Sequence, residues 1–180
     1  FHEDLWTPGV FEVRSDPSGV PNYLLVGVEK APEGNPEALV AAARDAIAAA
    51  DPGPNRPALE RRLSLSAKLF CADAIERPSI IPSYPWVDAW GRDAIMSLPG
   101  LYFATGNVTG AMGVVRTMIA SMHEGLLPNR MPDGGGAIDT AAADTTLWLF
   151  DAARGFAELL GETHPFVKDE LLPVLTNVFE

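Results

Sequence analysis

The amino-acid sequence predicts a mainly α-helical protein with one short β-hairpin at its amino-terminal end. Apolar residues between Val108 and Glu124 fall on a single stripe of Val108, Ala111, Met112, Val115, Met118, Ile119 and Met122, the 3.6-residue period of a helix with one buried face. Helix start and stop signals punctuate the rest of the chain, among them Asn35-Pro36-Glu37 and Gly161. Strand-like runs of β-branched and aromatic residues are confined to Val10–Val13 and Tyr23–Val28.

Those two runs flank Asp16-Pro17-Ser18-Gly19, a cluster of turn formers, and so predict the hairpin. A lone strand pair is marginal in water, so residues 1–34 are expected to be the tail of a preceding β domain or to pack on the helices. The first helix opens with Asn35 as cap, Pro36 in the first turn and Glu37 on the positive end of the helix dipole. It is expected to run to about Ala50, where Asp51-Pro52-Gly53-Pro54 stops it, and its alanines predict a close, modest packing face.

A second helix is expected from Pro57 towards Ile75, with Leu59, Leu63, Leu69 and Phe70 inward. A third starts around Asp93 and is kinked or shortened by Pro99-Gly100. The fourth, Val108–Glu124, stops at Gly125, and its methionines read as core filling. The fifth spans Asp144–Leu160, and Thr163 with Pro165 opens a last helix carrying Phe166, Leu171, Leu172, Leu175 and Val178. Residues 35–180 thus form the second predicted domain, and helix pairs joined by loops fit an α/α toroid whose loops converge on a cleft.

Thirteen basic against 24 acidic side chains give a net charge of −11, which repels phosphate backbones and anionic lipid. Nucleic acid and membrane surfaces are therefore not expected partners, whereas a neutral polysaccharide is indifferent to the charge. The single cysteine, Cys71, is expected to be a buried structural thiol. His2, His123 and His164 lack ligand spacing with one another or with Cys71, so no metal is expected. Gly134-Gly135-Gly136 has no following Lys-Ser/Thr and reads as a flexible tip. Neither a membrane-spanning run nor a secretory leader is evident, and the cytoplasm is the expected location.

Chemistry concentrates in three segments. Tyr84–Leu101, YPWVDAWGRDAIMSLPGL, places Trp86, Trp90, Arg92 and Asp93 just ahead of an apolar helix. Tryptophan faces cover sugar rings, and an Arg–Asp pair hydrogen-bonds hydroxyls; alternatively, both tryptophans are core anchors and Arg92 pairs with Asp93. Gly125–Asp133, GLLPNRMPD, offers Asn129, Arg130 and Asp133 for further hydroxyls, or a rigid surface turn held by Pro128 and Pro132. Asp144–Phe150, DTTLWLF, offers Asp144, as sugar contact or helix cap, and Trp148, half core and half cleft wall.

In this order, the three segments resemble the glucosidase domain of glycogen debranching enzymes, the amylo-alpha-1,6-glucosidases. The family pattern YPWxxxWGRD, its G-I-P-N-R-F-P-D segment and its D-A-T-L-W-F-F segment each have a counterpart here. The resemblance implies part of an (α/α)6 toroid of the glucoamylase-like six-hairpin kind. It also implies a glycoside hydrolase that releases glucose from α-1,6 branch stubs of glycogen or a related branched α-glucan, without a cofactor. Such hydrolysis uses an acid and a base, about 6.5 to 9.5 Å apart when configuration is inverted. Asp93 is the catalytic candidate, either as general acid or, with Arg92, as a ligand of the terminal glucose.

Five helices are expected after Pro57, against about twelve of about 11 to 12 residues each in a six-hairpin toroid. The expectation is accordingly a fragment lacking part of the catalytic machinery, able to self-associate through exposed helix faces. Ala94 stands where the family has Thr, and Thr140-Ala141 where it has Tyr-Asn. These departures keep two alternatives open: a catalytically inactive helical module that binds glucan or a partner chain, and a trehalase-like hydrolase of another glucoside.

Overall fold

The computed structural model describes residues 9–10, 12–14, 17–26, 33–72, 77–83, 86–131 and 139–179. By its packing the chain divides into two units, residues 1–45 and 46–180. In the first unit the expected turn is present at residues 17 and 18, and Asn22 Nδ2 donates across it to the Arg14 carbonyl at 3.3 Å. The described residues of Val10–Val13 and Tyr23–Val28 nevertheless carry no strand, which corrects the hairpin expectation. One side-chain bond marks a turn, whereas a ladder needs a covered face.

Helix α1, Pro36–Ala49, begins as its cap dictates. The Glu37 and Ala38 N–H groups donate to Asn35 Oδ1 at 2.8 and 3.3 Å. No residue of α1 is buried, so its alanines mark high helix propensity and no packing face.

The second unit holds the core. Helix α2, Ala58–Lys68, stops well short of Ile75 because the chain turns at Leu69 and Phe70 into strand β1, Cys71–Ala72. This strand pairs antiparallel with β2, Ser79–Ile80, in the register Cys71 to Ile80. The leucines expected inward are outside: Leu63 is 61% and Leu69 70% exposed, and Leu59 and Phe70 are also exposed. Periodicity identifies an apolar face, and no described residue of this unit covers this one. Cys71 is half-buried, its thiol donating to the Ala67 carbonyl at 3.3 Å.

Strand β3, Ala89–Trp90, runs straight into helix α3, Gly91–Leu98. Pro99 cannot donate to the preceding turn, and the chain widens into a π-helical turn, Pro99–Phe103. The Ala104 N–H donates to the Pro99 carbonyl and the Asn107 N–H to that of Tyr102, each at 2.9 Å and five residues back. Thus the proline shortens α3, as expected, and the chain continues as a wider turn with no kink needed.

Helix α4, Val108–Ala120, is capped by Asn107, whose Oδ1 accepts from the Gly110 N–H at 3.0 Å. Its predicted stripe faces the core, with Ala111, Val115 and Met118 fully buried. The helix ends before Gly125, which instead shares a tight reversal with Glu124. Their φ values of 76° and 50° suit a type I′ turn, and His123 and Leu126 exchange both backbone bonds across it.

Strand β4, Arg130–Met131, pairs antiparallel with β3. Helix α5, Ala143–Leu160, packs along α3 and ends at Gly161, whose φ of 90° an L side chain rarely adopts. A π-helical segment, Phe166–Leu171, continues into helix α6, Leu172–Phe179. His164 opens it, accepting from the Phe166 N–H on Nδ1 at 3.2 Å, in place of the expected Thr163. Leu172 is exposed, while Phe166 and Leu171 are buried. Phe156 of α5 meets Phe103 and Phe166 edge-on, with ring centroids 4.9 and 4.8 Å away. Each such buried ring contributes about 1.5 to 3 kcal/mol, and the core they form supports the mouth of the α3–α5 pair.

Candidate functional site

The floor of the candidate site follows from strand alternation. In β3 and β4, Ala89 pairs with Met131 and Trp90 with Arg130. Ala89 and Met131 are buried and face the core, so Trp90 and Arg130 lie on the opposite, open side. Asp88, two residues before Trp90, shares that side and accepts from Arg130 Nε at 3.0 Å. Trp86 precedes this floor and is 83% exposed.

Close backbone approach brings the first two segments together. The Gly91 N–H donates to the Asn129 carbonyl at 2.9 Å. A Cβ at position 91 would lie 2.0 Å from the Pro128 oxygen and 2.3 Å from Met118 Cε, so only glycine fits. The Asn129 N–H donates to the Asp139 carbonyl at 2.6 Å, and Asn129 Nδ2 reaches Asp139 Oδ2 at 3.4 Å.

The first turn of α5 brings in the third segment. Asp144 forms an ion pair with Arg92 Nε at 3.0 Å. It makes no capping bond, since Ala142 occupies the cap position. Two residues on, Thr146 Oγ1 accepts from the Leu127 N–H at 2.9 Å in the interior. Arg92 therefore reaches a partner 52 positions away and not its neighbour Asp93. Asp93, half-buried in the first turn of α3, makes no ion pair or side-chain hydrogen bond with any described residue.

Of the residues singled out in the sequence, Trp90, Arg92, Asp93, Asn129, Arg130 and Asp144 are thus brought to linked elements around the start of α3. Trp86 is no core anchor. Trp148, 37% exposed, lines an open depression on α5 with Asp144, Leu147 and Asp151. Asp133 and the Gly134–Gly136 tip lie outside the described residues.

Two contributors escaped the sequence reading. For Asp88 the signal is its i, i+2 spacing to Trp90 once β3 is recognised as a strand. Asp139 orders the second loop through backbone and side chain, its Oδ1 also accepting from the Ala141 N–H at 2.9 Å; its only local signal is the Asx-turn tendency of aspartate. Among the described residues, no three His, Cys, Asp or Glu side chains group as a metal site, and no helix is long and apolar enough to cross a membrane.

Residues 62–180 match the family model of amylo-alpha-1,6-glucosidase, and the chain belongs to that family as a glycosidase-related domain. Comparison with curated proteins and with solved structures gives no match.

Proposed function

We propose that this domain hydrolyses the α-1,6-glucosidic bond of branch stubs on glycogen or a related branched α-glucan, releasing glucose without a cofactor. The observation that carries the reading is Asp93: a half-buried carboxyl with no described partner, next in sequence to Arg92, which already has a carboxylate partner. Trp90 and the exposed Trp86 supply faces for a sugar ring. Arg92 and Arg130, each with N–H groups to spare, donate to hydroxyls, the Asn129 amide does the same, and Asp144 accepts from them. Asp93 is the carboxyl we assign to the scissile sugar, binding hydroxyls when ionised and protonating the leaving oxygen when neutral.

We place helices α2 to α6 within an α/α toroid, and the protein in the cytoplasm. The test is glucose release from a phosphorylase-trimmed limit dextrin by this chain, with Asp93→Asn alongside. Release that Asp93→Asn abolishes supports the reading, and release that survives the substitution rejects the role of Asp93.

A second reading, a glucan-binding module without turnover, is favoured by one observation. Inverting hydrolysis uses two carboxyls, whereas Asp88, Asp139 and Asp144 are each engaged. Saturable dextrin binding without any glucose release selects it.

A further inference from the structure

We propose that Asp88 is a specificity-determining residue: by holding Arg130 in an ion pair on the cleft floor, it reserves the site for uncharged sugars and excludes phosphorylated ones. This inference rests on the carbohydrate reading above and names the charge class of sugar that the same site takes.

An arginine in an open cleft is ordinarily a phosphate or carboxylate receptor, because its planar fork carries charge and paired donors together. Here Asp88 separates the two properties. It accepts from Arg130 Nε and Nη2 through one oxygen, which cancels the charge and leaves the Nη1 donors for hydroxyls. The carboxylate is the sheltered partner, with its side chain 25% exposed against 52% for Arg130. It lies directly before β3, within bonding reach of Arg130.

The neighbourhood adds to the effect. Arg92, the other cleft cation, is paired with Asp144, so four carboxylates (Asp88, Asp93, Asp139 and Asp144) face two guanidiniums among the described residues. An anionic sugar would meet surplus negative charge, whereas hydroxyls need only donors and acceptors. The pair is not required to hold the loops together. The β3–β4 register and the Gly91 to Asn129 bond already do so, and an ion pair this exposed adds little stability.

The experiment compares the 180-residue chain with Asp88→Asn, Arg130→Gln and the double variant, titrating glucose 6-phosphate, inorganic phosphate and maltotriose by calorimetry. Asp88→Asn should bind glucose 6-phosphate about tenfold more tightly than the parent, the size of one charge-assisted bond. The gain should weaken with salt and vanish in the double variant. Arg130→Gln alone should gain nothing. A folded Asp88→Asn protein whose affinity stays within about twofold of the parent overturns the proposal, as does a gain that persists in the double variant. Asp88→Ser, read in the same way, carries the test where Asp88→Asn does not fold. A parent that binds no limit dextrin rejects the carbohydrate reading instead, because inorganic phosphate reads the charge of the floor without any sugar.

Discussion

Two sets of long-range arginine–carboxylate pairs, one between α4 and the segment before α6 and the other around β3 and the start of α3, are built differently. Arg116 of α4 meets Glu170 through two parallel bonds of 2.7 Å, with its guanidinium 5.0 Å over the ring of buried Phe166. Those bonds hold the Glu170 carboxyl below its usual range. The pair fastens α4 to the segment that leads into α6. Around the start of α3, Arg130 meets one oxygen of Asp88, Arg92 pairs with Asp144, and Asp93 engages no described residue. Arg116 and Arg130 spend the same two nitrogens, Nε and Nη2; the fastening engages both oxygens of its carboxylate, whereas the pair on the floor engages one.

The widest separation between the two regions should come from Asp93→Asn. On the cleft side it is expected to lower glucose release from limit dextrin by about 100-fold or more, with little change in the thermal midpoint. An unchanged rate would erase the distinction. Next comes Gly91→Ala, whose methyl has no room against Pro128 and Met118. It should destabilise the protein by about 2 to 3 kcal/mol in chemical denaturation and weaken dextrin binding as well, since β3 and β4 must part.

On the fastening side, Arg116→Met should lower stability by about 1 kcal/mol or less and leave dextrin affinity untouched. The Glu170 carboxyl is depressed, so its stabilising effect is complete above the ordinary glutamate value of 4.5 and fades as pH falls through its folded value. The stability gap between parent and Glu170→Gln should therefore close on acidification, as seen in denaturation midpoints taken across that range. A gap that widens in acid would break the assignment. Smallest of all, Leu63→Gln should change stability by about 0.5 kcal/mol at most, because Leu63 is exposed on α2. A larger loss would mean that the α2 face is covered in solution.

Local signals were legible and long-range ones were not. Asn35 and Gly161 mark helix ends because caps and left-handed stops act over a few residues. The stripe of α4 pointed inward because the helix has the core beside it. The same logic failed at α2, where the sequence shows an apolar face but not what lies against it, and at Val10–Val13 and Tyr23–Val28, whose described residues carry no strand despite their β propensity. For the site, the residue types of Arg92 and Arg130 were readable from their segments. Their partners were not, since pairing Arg92 with Asp144 rather than Asp93 depends on how α3 packs along α5. Asp88 was hidden for a similar reason: its role exists only once β3 lies in register with β4.

That register has a kinetic side. Asp88 and Arg130 are 42 positions apart, with α3, the π-helical turn and α4 between them. The chain must close this loop before any cleft exists, and the closure is rewarded only after the intervening helices have packed. Helices α3 and α4 can therefore gather into a partial core while the floor is still open. Sugar affinity should be the last property to return on refolding, which makes dextrin binding a reporter of complete assembly where helical content is not.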